Sequence, residues 1–483
     1  MIQANIQSAS PKIFIYNYII GFTGVCVLFS VYFESLLPFI FPLALLAFGV
    51  IVEDYRRLFY LTFILLPFSV EFYFEGAGIG TDIPSEPIMI VLSGITIAVL
   101  IKNNFSLLKQ YVTHPIFLMV VIHVFWIFIT SVNSTYPLIS FKFLAAKIWY
   151  VLPFFILPLL FVKESSELEK AYRIIYIFLF VAISIVLVKH AFLGFSFTAT
   201  YEVVRPFFRN HVNYAAISVV CLPFVWAFYK MNKLEGRSNI KMGFVFFIFV
   251  CGIYFSFTRA AILSMFIAYI ARYIIIKKWV RQAILLSLLI GTIGIIYLSW
   301  NNKYLDLTPD FERTITHTEF DNLLEATYKL EDISSMERIY RWISGVEMIS
   351  DKFWLGFGPG SFYSNYKLYS ISRFQTYVSN NPDQSGIHNY FLMTWVEQGF
   401  VGFIIFIALC FLLLIEGEKL YHRFAKPRDK LIIMAATLSF IIIFALCLIN
   451  DLIETDKVGP FFFFNASILV FYSAKGRNSD FNS

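Results

Sequence analysis

Between Ser334 and Gly402 the chain gathers residue types that do polar chemistry inside a largely apolar sequence. The stretch reads SSMERIYRWISGVEMISDKFWLGFGPGSFYSNY, then a polar segment, then SGIHNYFLMTWVEQGFVGF. Ser334 and Glu337 have the S-x-x-E spacing of a capping box. That predicts a helix starting here with Ile339, Trp342, Ile343, Val346 and Ile349 on one face. Arg338 and Arg341 fall in its first two turns, where cations oppose the helix dipole at a cost of a few tenths of a kcal/mol that an anionic ligand would offset. Gly356, Gly358 and Gly360 end the helix in a tight turn, and the chain re-enters an apolar segment at His388-Asn389-Tyr390, which puts an imidazole at a water–lipid boundary. Glu397 lies about two and a half turns further in, where an ionisable group marks either a polar pocket or a bond to backbone near Gly399. Cations and a base together suit an anionic substrate that must lose or gain a proton.

More cations lie outside this stretch. Arg205, Arg209 and His211 occur in RPFFRNHVNYAA, and Arg259 in YFSFTRAAILSMF, which leaves it almost no aqueous loop. A charge at that depth costs several kcal/mol unless partnered, so Arg259 reads either as a phosphate ligand or as a snorkelling side chain on a headgroup or an acid. Arg338 reads equally as a surface charge paired with Glu337 or Asp332. Other histidines carry less: His114 and His422 fall in short basic loops, His123 and His190 in or beside helices, and His317 in an unpatterned part of the long loop. The glycine turn is not a nucleotide loop, because it follows a helix and lacks G-K-[ST]. Asp451 and Glu454, in NDLIETD, read as helix caps. The five cysteines all lie in apolar segments without C-x-x-C, so neither a metal site nor a disulfide is expected.

The elements that must position these residues are membrane helices. Hydrophobic residues make up 59% and charged residues 14% of the 483, against roughly a quarter charged in soluble domains. With spans of ~20 residues, helices are predicted at about 13–33, 36–52, 58–74, 87–101, 115–132, 144–162, 171–191, 213–229, 243–257, 260–276, 282–300, 389–415, 430–450 and 459–474. The first is an anchor, since no small-residue cleavage site follows it. Residues 1–300 thus hold eleven spans, 301–387 form one large loop, 388–475 hold three more spans and 476–483 form a tail. Basic loops at Arg56–Arg57, Lys102–Lys109, Lys230–Lys241, Lys277–Arg281 and Arg423–Lys430 all fall on one side, which makes that side and both termini cytoplasmic. The net charge of +6 is spread over these loops, which suits orientation in a membrane and not nucleic-acid binding. Arg205, Arg209, Arg259, Arg338 and Arg341 lie on the opposite, outer side.

At these residues the sequence resembles the O-antigen ligase and O-antigen polymerase family of bacterial envelope glycan assembly. The resemblance rests on R-x-x-x-W at Arg338 and Trp342, the G-x-G turn at Gly356 and Gly358, H-N-Y at His388, and E-x-G at Glu397 and Gly399 with Gly402 beyond. Two further patches agree: RPFFRNHVNYA at Arg205–Ala215 and S-x-T-R-A-A at Ser256–Ala261. It covers about residues 140–415. It implies an all-α polytopic integral membrane protein, with about 12–14 transmembrane helices, one large extracytoplasmic loop containing helices, and a GT-C-like glycosyltransferase activity at the periplasmic face of the bacterial inner membrane. The implied reaction is metal-independent and inverting and uses no cofactor. The donor is a glycan on undecaprenyl diphosphate, and the acceptor is a lipid A core or a growing glycan.

In that reading His388 takes the acceptor proton while Arg338, Arg259 and Arg205, the last in preference to Arg209, serve the diphosphate. Arg209, His211, Arg341, Trp342, Asn389 and Glu397 line the substrate site. The residue types suit the task. Arginine binds phosphate in bidentate fashion, and preorganised arginines stabilise the charge that grows on a departing diphosphate. An imidazole near its ordinary pKa of about 6.5 accepts a proton at neutral pH, a contribution of about 10²–10⁴-fold. Ligation and polymerisation differ only in the acceptor. The alternative from another class is a transporter or flippase of lipid-linked glycans, which the clustering of the cations on one face, with no inverted pair of interrupted helices, disfavours.

Overall fold

The computed structural model describes residues 25, 54–74, 79–307, 333–376, 379–381 and 384–481. The predicted helices at about 13–33, residue 25 excepted, and at 36–52 lie outside the described residues, as do His317 and Asp332. The chain divides into two units, residues 1–62 and 63–483. In the first, the Asp54 carboxylate accepts from Arg56 Nε at 2.9 Å. There α1 (Tyr55–Leu65) begins.

The span predicted at 58–74 is corrected. Helix α1 tightens into a 3-10 turn at Leu66–Phe68 and stops, because Pro67 supplies no amide hydrogen to continue it. The chain then forms a hairpin, β1 (Val70–Phe74) with β2 (Ile79–Ile83), antiparallel and in register Val70↔Ile83. The aromatic, β-branched run VEFYF suits a strand. This is the only sheet among the described residues.

The rest is helical. In order come α2 (Ser85–Lys102), α3 (Pro115–Val132), α4 (Pro137–Val151) and α5 (Ser165–Phe192). They are followed by α6 (His211–Leu234), α7 (Ile240–Tyr254), α8 (Arg259–Ile276) and α9 (Val280–Ser299). The large loop contributes α10 (Ile333–Asp351), and α11 (Tyr390–Arg423), α12 (Pro427–Cys447) and α13 (Gly459–Phe481) close the chain. The tail predicted from 476 is helical as far as Phe481. Among the described residues, nine helices are long and apolar enough to cross a membrane. Beyond Val151, α4 continues through a π-helical turn at Leu152–Ile156 to Phe161, the widened turn accommodating Pro153.

The core is built on α12, which packs against α6, α8 and α11. Its buried faces are almost wholly apolar, including Ile432, Ile433, Phe440, Ile443 and Leu446. At the other extreme, α9 exposes nearly every side chain, as expected of a helix whose solvent is lipid.

Candidate active site

The site sits where α10 and the segment before α11 meet the turn after α12. Helix α10 buries Met336, Tyr340, Ser344 and Met348, and the same stripe carries Glu337 and Arg341 inward. Glu337 does not close a capping box with Ser334, which is already helical. Its Oε1 instead accepts from Thr376 Oγ1 and Ser379 Oγ, both at 2.5 Å, and Oε2 lies 3.5 Å from Arg341 Nη2. That carboxylate ties α10 to the far side of its own loop.

Arg341, 6% exposed, donates from Nη1 to the Gly386 carbonyl at 3.2 Å. Trp342 donates from Nε1 to the Ile387 carbonyl at 3.0 Å. These two side chains, one turn of α10, therefore grip consecutive carbonyls just before His388. Asn389 accepts from Leu392 N at 3.0 Å and caps α11. Three residues expected to line the substrate site thus hold the segment that presents the histidine.

Glu397 also bonds backbone, the second of the two readings its position allowed. It is 2% exposed and accepts from Gly360 N at 2.8 Å and Phe362 N at 3.1 Å. Around it, Phe357 N donates to the Val396 carbonyl at 3.0 Å, Gly358 N to the Glu397 carbonyl at 2.8 Å, and Phe400 N to the Phe353 carbonyl at 2.8 Å. The G-x-G and E-x-G motifs are two halves of one clasp between the large loop and α11. Gly399 interrupts α11 with φ 70° and ψ −178°, a conformation reserved to glycine, and a Cβ there would stand 2.0 Å from the Trp354 carbonyl oxygen.

What the clasp and the grips hold in place is His388, half-buried at the entry to α11. Its φ of 55° is left-handed, which is uncommon outside glycine and concentrated at functional positions. Nδ1 stands 3.8 Å from Asp451 Oδ1, with the two side chains 29% and 30% exposed. Burial, then the charges of Arg338 and Arg341, push the His388 pKa down to about 3. The ring is therefore neutral at physiological pH. Asp451 is held above its usual value by burial, against the pull of Arg341, Arg209 and Arg338. Sequence reasoning took Asp451 for a helix cap, but it makes no side-chain cap, and its carboxylate faces the histidine. Glu454, read the same way, instead accepts from Lys147 Nζ at 2.6 Å and from Tyr390 Oη at 2.5 Å. A signal for Asp451 was present: it is an acid at the outer edge of a span, on the side where the cations collect.

The charges of Arg338 and Arg341 thus act on both His388 and Asp451, and that of Arg209 on Asp451. Arg209 is exposed and pairs with Glu71 of β1 at 3.6 Å. Arg205 is exposed and lies over the Tyr201 ring at 5.6 Å, while Lys189 holds its carbonyl at 2.9 Å. His211 opens α6, half-buried, with its ring 5.9 Å from Tyr201. Arg259 opens α8, and the residue before it, Thr258, donates to the His211 carbonyl at 3.4 Å. The predicted outer patches at 205–211 and 256–259 are therefore adjacent. His211 and Arg259 open α6 and α8, and His388 precedes α11, ends that the up-and-down order of the chain puts on one side of the bundle. Among the described residues, no group of three or more His, Cys, Asp or Glu could hold a metal ion.

Compared with known proteins, residues 244–407 match the family profile described as O-antigen ligase. The matched segment contains Arg259, Arg338, His388 and the whole clasp, and ends before Asp451. A comparison with curated proteins finds no match.

Proposed function

We propose, from the premise that residues 244–407 form an O-antigen ligase domain in a polytopic membrane protein, that the chain transfers a glycan from undecaprenyl diphosphate to an acceptor hydroxyl at the periplasmic face of the inner membrane. The observation that carries this reading is the His388–Asp451 pair, 3.8 Å apart, on a segment that Arg341 holds at Gly386 and within the charges of Arg338 and Arg341. Cations beside a neutral imidazole at a membrane edge are what a lipid-linked diphosphate and a nucleophilic hydroxyl require together.

The step itself is a displacement at the anomeric carbon. The acceptor oxygen forms a bond to that carbon from the face opposite the diphosphate, the carbon–oxygen bond to the diphosphate breaks, and the anomeric configuration inverts. The acceptor proton passes to the imidazole, whose Nδ1 side faces Asp451 and leaves Nε2 for the hydroxyl. Negative charge grows on the leaving diphosphate, and Arg338, with Arg259 and Arg205 from the adjacent outer patch, stabilises it more than the ground state. These cations supply the positive charge that a metal ion supplies elsewhere, so the transfer runs without one.

Substrate binding also tunes the base. Burial, and after it the charges of Arg338 and Arg341, depress the imidazole's basicity. A bound diphosphate offsets those charges and raises it, so the base strengthens only when the donor is in place. The acceptor is a lipid A core or the end of a growing glycan. Glycans from a deletion strain separate the two: single unpolymerised repeats on the acceptor indicate a polymerase, and long undecaprenyl-linked chains a ligase. If purified protein moved a lipid-linked sugar across liposomes and formed no glycosidic product with any acceptor, the enzyme reading would be wrong.

A further inference from the structure

Lys147 lies ten residues into α4 with its side chain fully buried. Its ammonium donates to Glu454 Oε1 at 2.6 Å and to Tyr390 Oη at 3.3 Å, and the Tyr390 hydroxyl donates to the same Glu454 oxygen at 2.5 Å. The faces of Phe143 and Phe463 close over it at 5.2 and 5.9 Å. One turn along α4, Tyr150 Oη donates to the Glu454 backbone carbonyl at 3.2 Å. Helix α4 therefore holds this residue by side chain and backbone at once.

Stability alone gives no reason for such an arrangement, because a buried ion pair is often matched or exceeded by apolar side chains of similar volume. What it fixes is informative. Tyr390 follows His388 by two residues, and Glu454 follows Asp451 by one turn of 3-10 helix. The segments bearing the base and its carboxylate partner precede α11 and follow α12; the Tyr390 hydroxyl joins them through Glu454, and the Lys147 ammonium bonds both side chains.

We propose that Lys147 is a positioning residue that, through Tyr390 and Glu454, sets the approach of Asp451 to His388; the proposal rests on the transfer reading above. Its effect falls on turnover and not on donor affinity, since none of the three side chains belongs to the arginine set that meets the diphosphate.

The test uses the full-length protein in nanodiscs with a lipid-linked glycan donor. The variants are Lys147→Met/Glu454→Gln, which removes both charges and leaves no uncompensated ion, and Tyr390→Phe, which removes one hydroxyl. Positioning predicts that kcat falls by about 10²-fold in the double variant, the cost of roughly 1 Å of misplacement. Donor KM stays within about twofold. The acid limb of kcat/KM also moves to lower pH, because a displaced Asp451 no longer offsets the charges of Arg338 and Arg341 at the imidazole. Tyr390→Phe shifts the same limb in the same direction by a smaller amount. Wild-type kcat and pH profile in a folded double variant overturn the proposal. So does a loss of activity that follows the folded fraction while the pH profile stays put. Should the double variant not fold, Tyr390→Phe decides: an unmoved limb rejects the coupling. Absence of any glycosidic product from the folded wild type with every acceptor would reject the transfer reading itself, separately from these outcomes.

Discussion

Gly386 faces Asp451 so closely that a Cβ built on it would stand 2.3 Å from Oδ2, where ordinary contact begins at 3.4 Å. Gly386→Ala therefore displaces the carboxylate by about 1 Å or rotates it away, since the Gly386 carbonyl is pinned by Arg341. The opposite oxygen of that carboxylate is the one 3.8 Å from His388 Nδ1. If Asp451 orients the imidazole, a misplacement of about 1 Å lowers kcat by up to about 10²-fold, near 2.7 kcal/mol of barrier. Donor affinity should change little, because the methyl meets no arginine side chain. The assay is glycan transfer by purified protein in nanodiscs, with kcat and donor KM measured separately and thermal unfolding recorded alongside. Wild-type kcat in a folded Gly386→Ala protein would refute an orienting role for Asp451. A rise in KM at unchanged kcat would place the effect on the donor instead.

Three further outcomes follow from the same geometry. Glu397→Ala orphans the buried amides of Gly360 and Phe362, each at about 1–3 kcal/mol, and should lower the unfolding temperature by several degrees and release the clasp; an unchanged melting curve contradicts the structural role. For His388, the folded pKa of about 3 lies below the unfolded value of about 6.5, so the unfolded chain binds more protons between them. Stability should then fall as pH drops through that window and be unaffected by this group above it, by at most about 2 kcal/mol at pH 5. His388→Gln should flatten that slope in nanodisc unfolding, and an identical slope rejects the assignment. Arg338→Ala should weaken donor binding and also lower kcat, whereas Arg338→Lys should recover only part, a point charge replacing a bidentate fork; full activity in both removes the clamp.

Much of this arrangement is legible in the sequence because hydropathy and charge sidedness are strong signals. The helices from α2 onward overlap their predicted spans, with ends that differ by up to eight residues, and the arginines and His388 stand out as charges where charge is costly. The motifs are harder to interpret. G-x-G, E-x-G, R-x-x-x-W and H-N-Y look alike as site residues. In space the first two form a clasp, Trp342 and Asn389 hold backbone, and His388 is left half-buried against Asp451. Spacing along a chain cannot show which partner a carboxylate takes. Glu397 bonds amides some 35 residues back, and Asp451 meets a histidine 63 residues away. The hairpin was hidden for another reason. Its first strand, VEFYF, is as aromatic as the neighbouring spans, its second, IGTDI, has no apolar run to announce it, and Pro67 alone marks where α1 must stop.

The most direct test of the central claim is transfer from an undecaprenyl-diphosphate glycan to a hydroxyl acceptor, followed under single-turnover conditions by purified protein in nanodiscs. Wild type should give a glycosidic product of inverted anomeric configuration, with or without chelator. Folded His388→Ala should bind the donor yet form product about 10²–10⁴-fold more slowly. Product formation at the wild-type rate by His388→Ala, or retention of configuration, would contradict the assignment of His388 as the base of a single displacement.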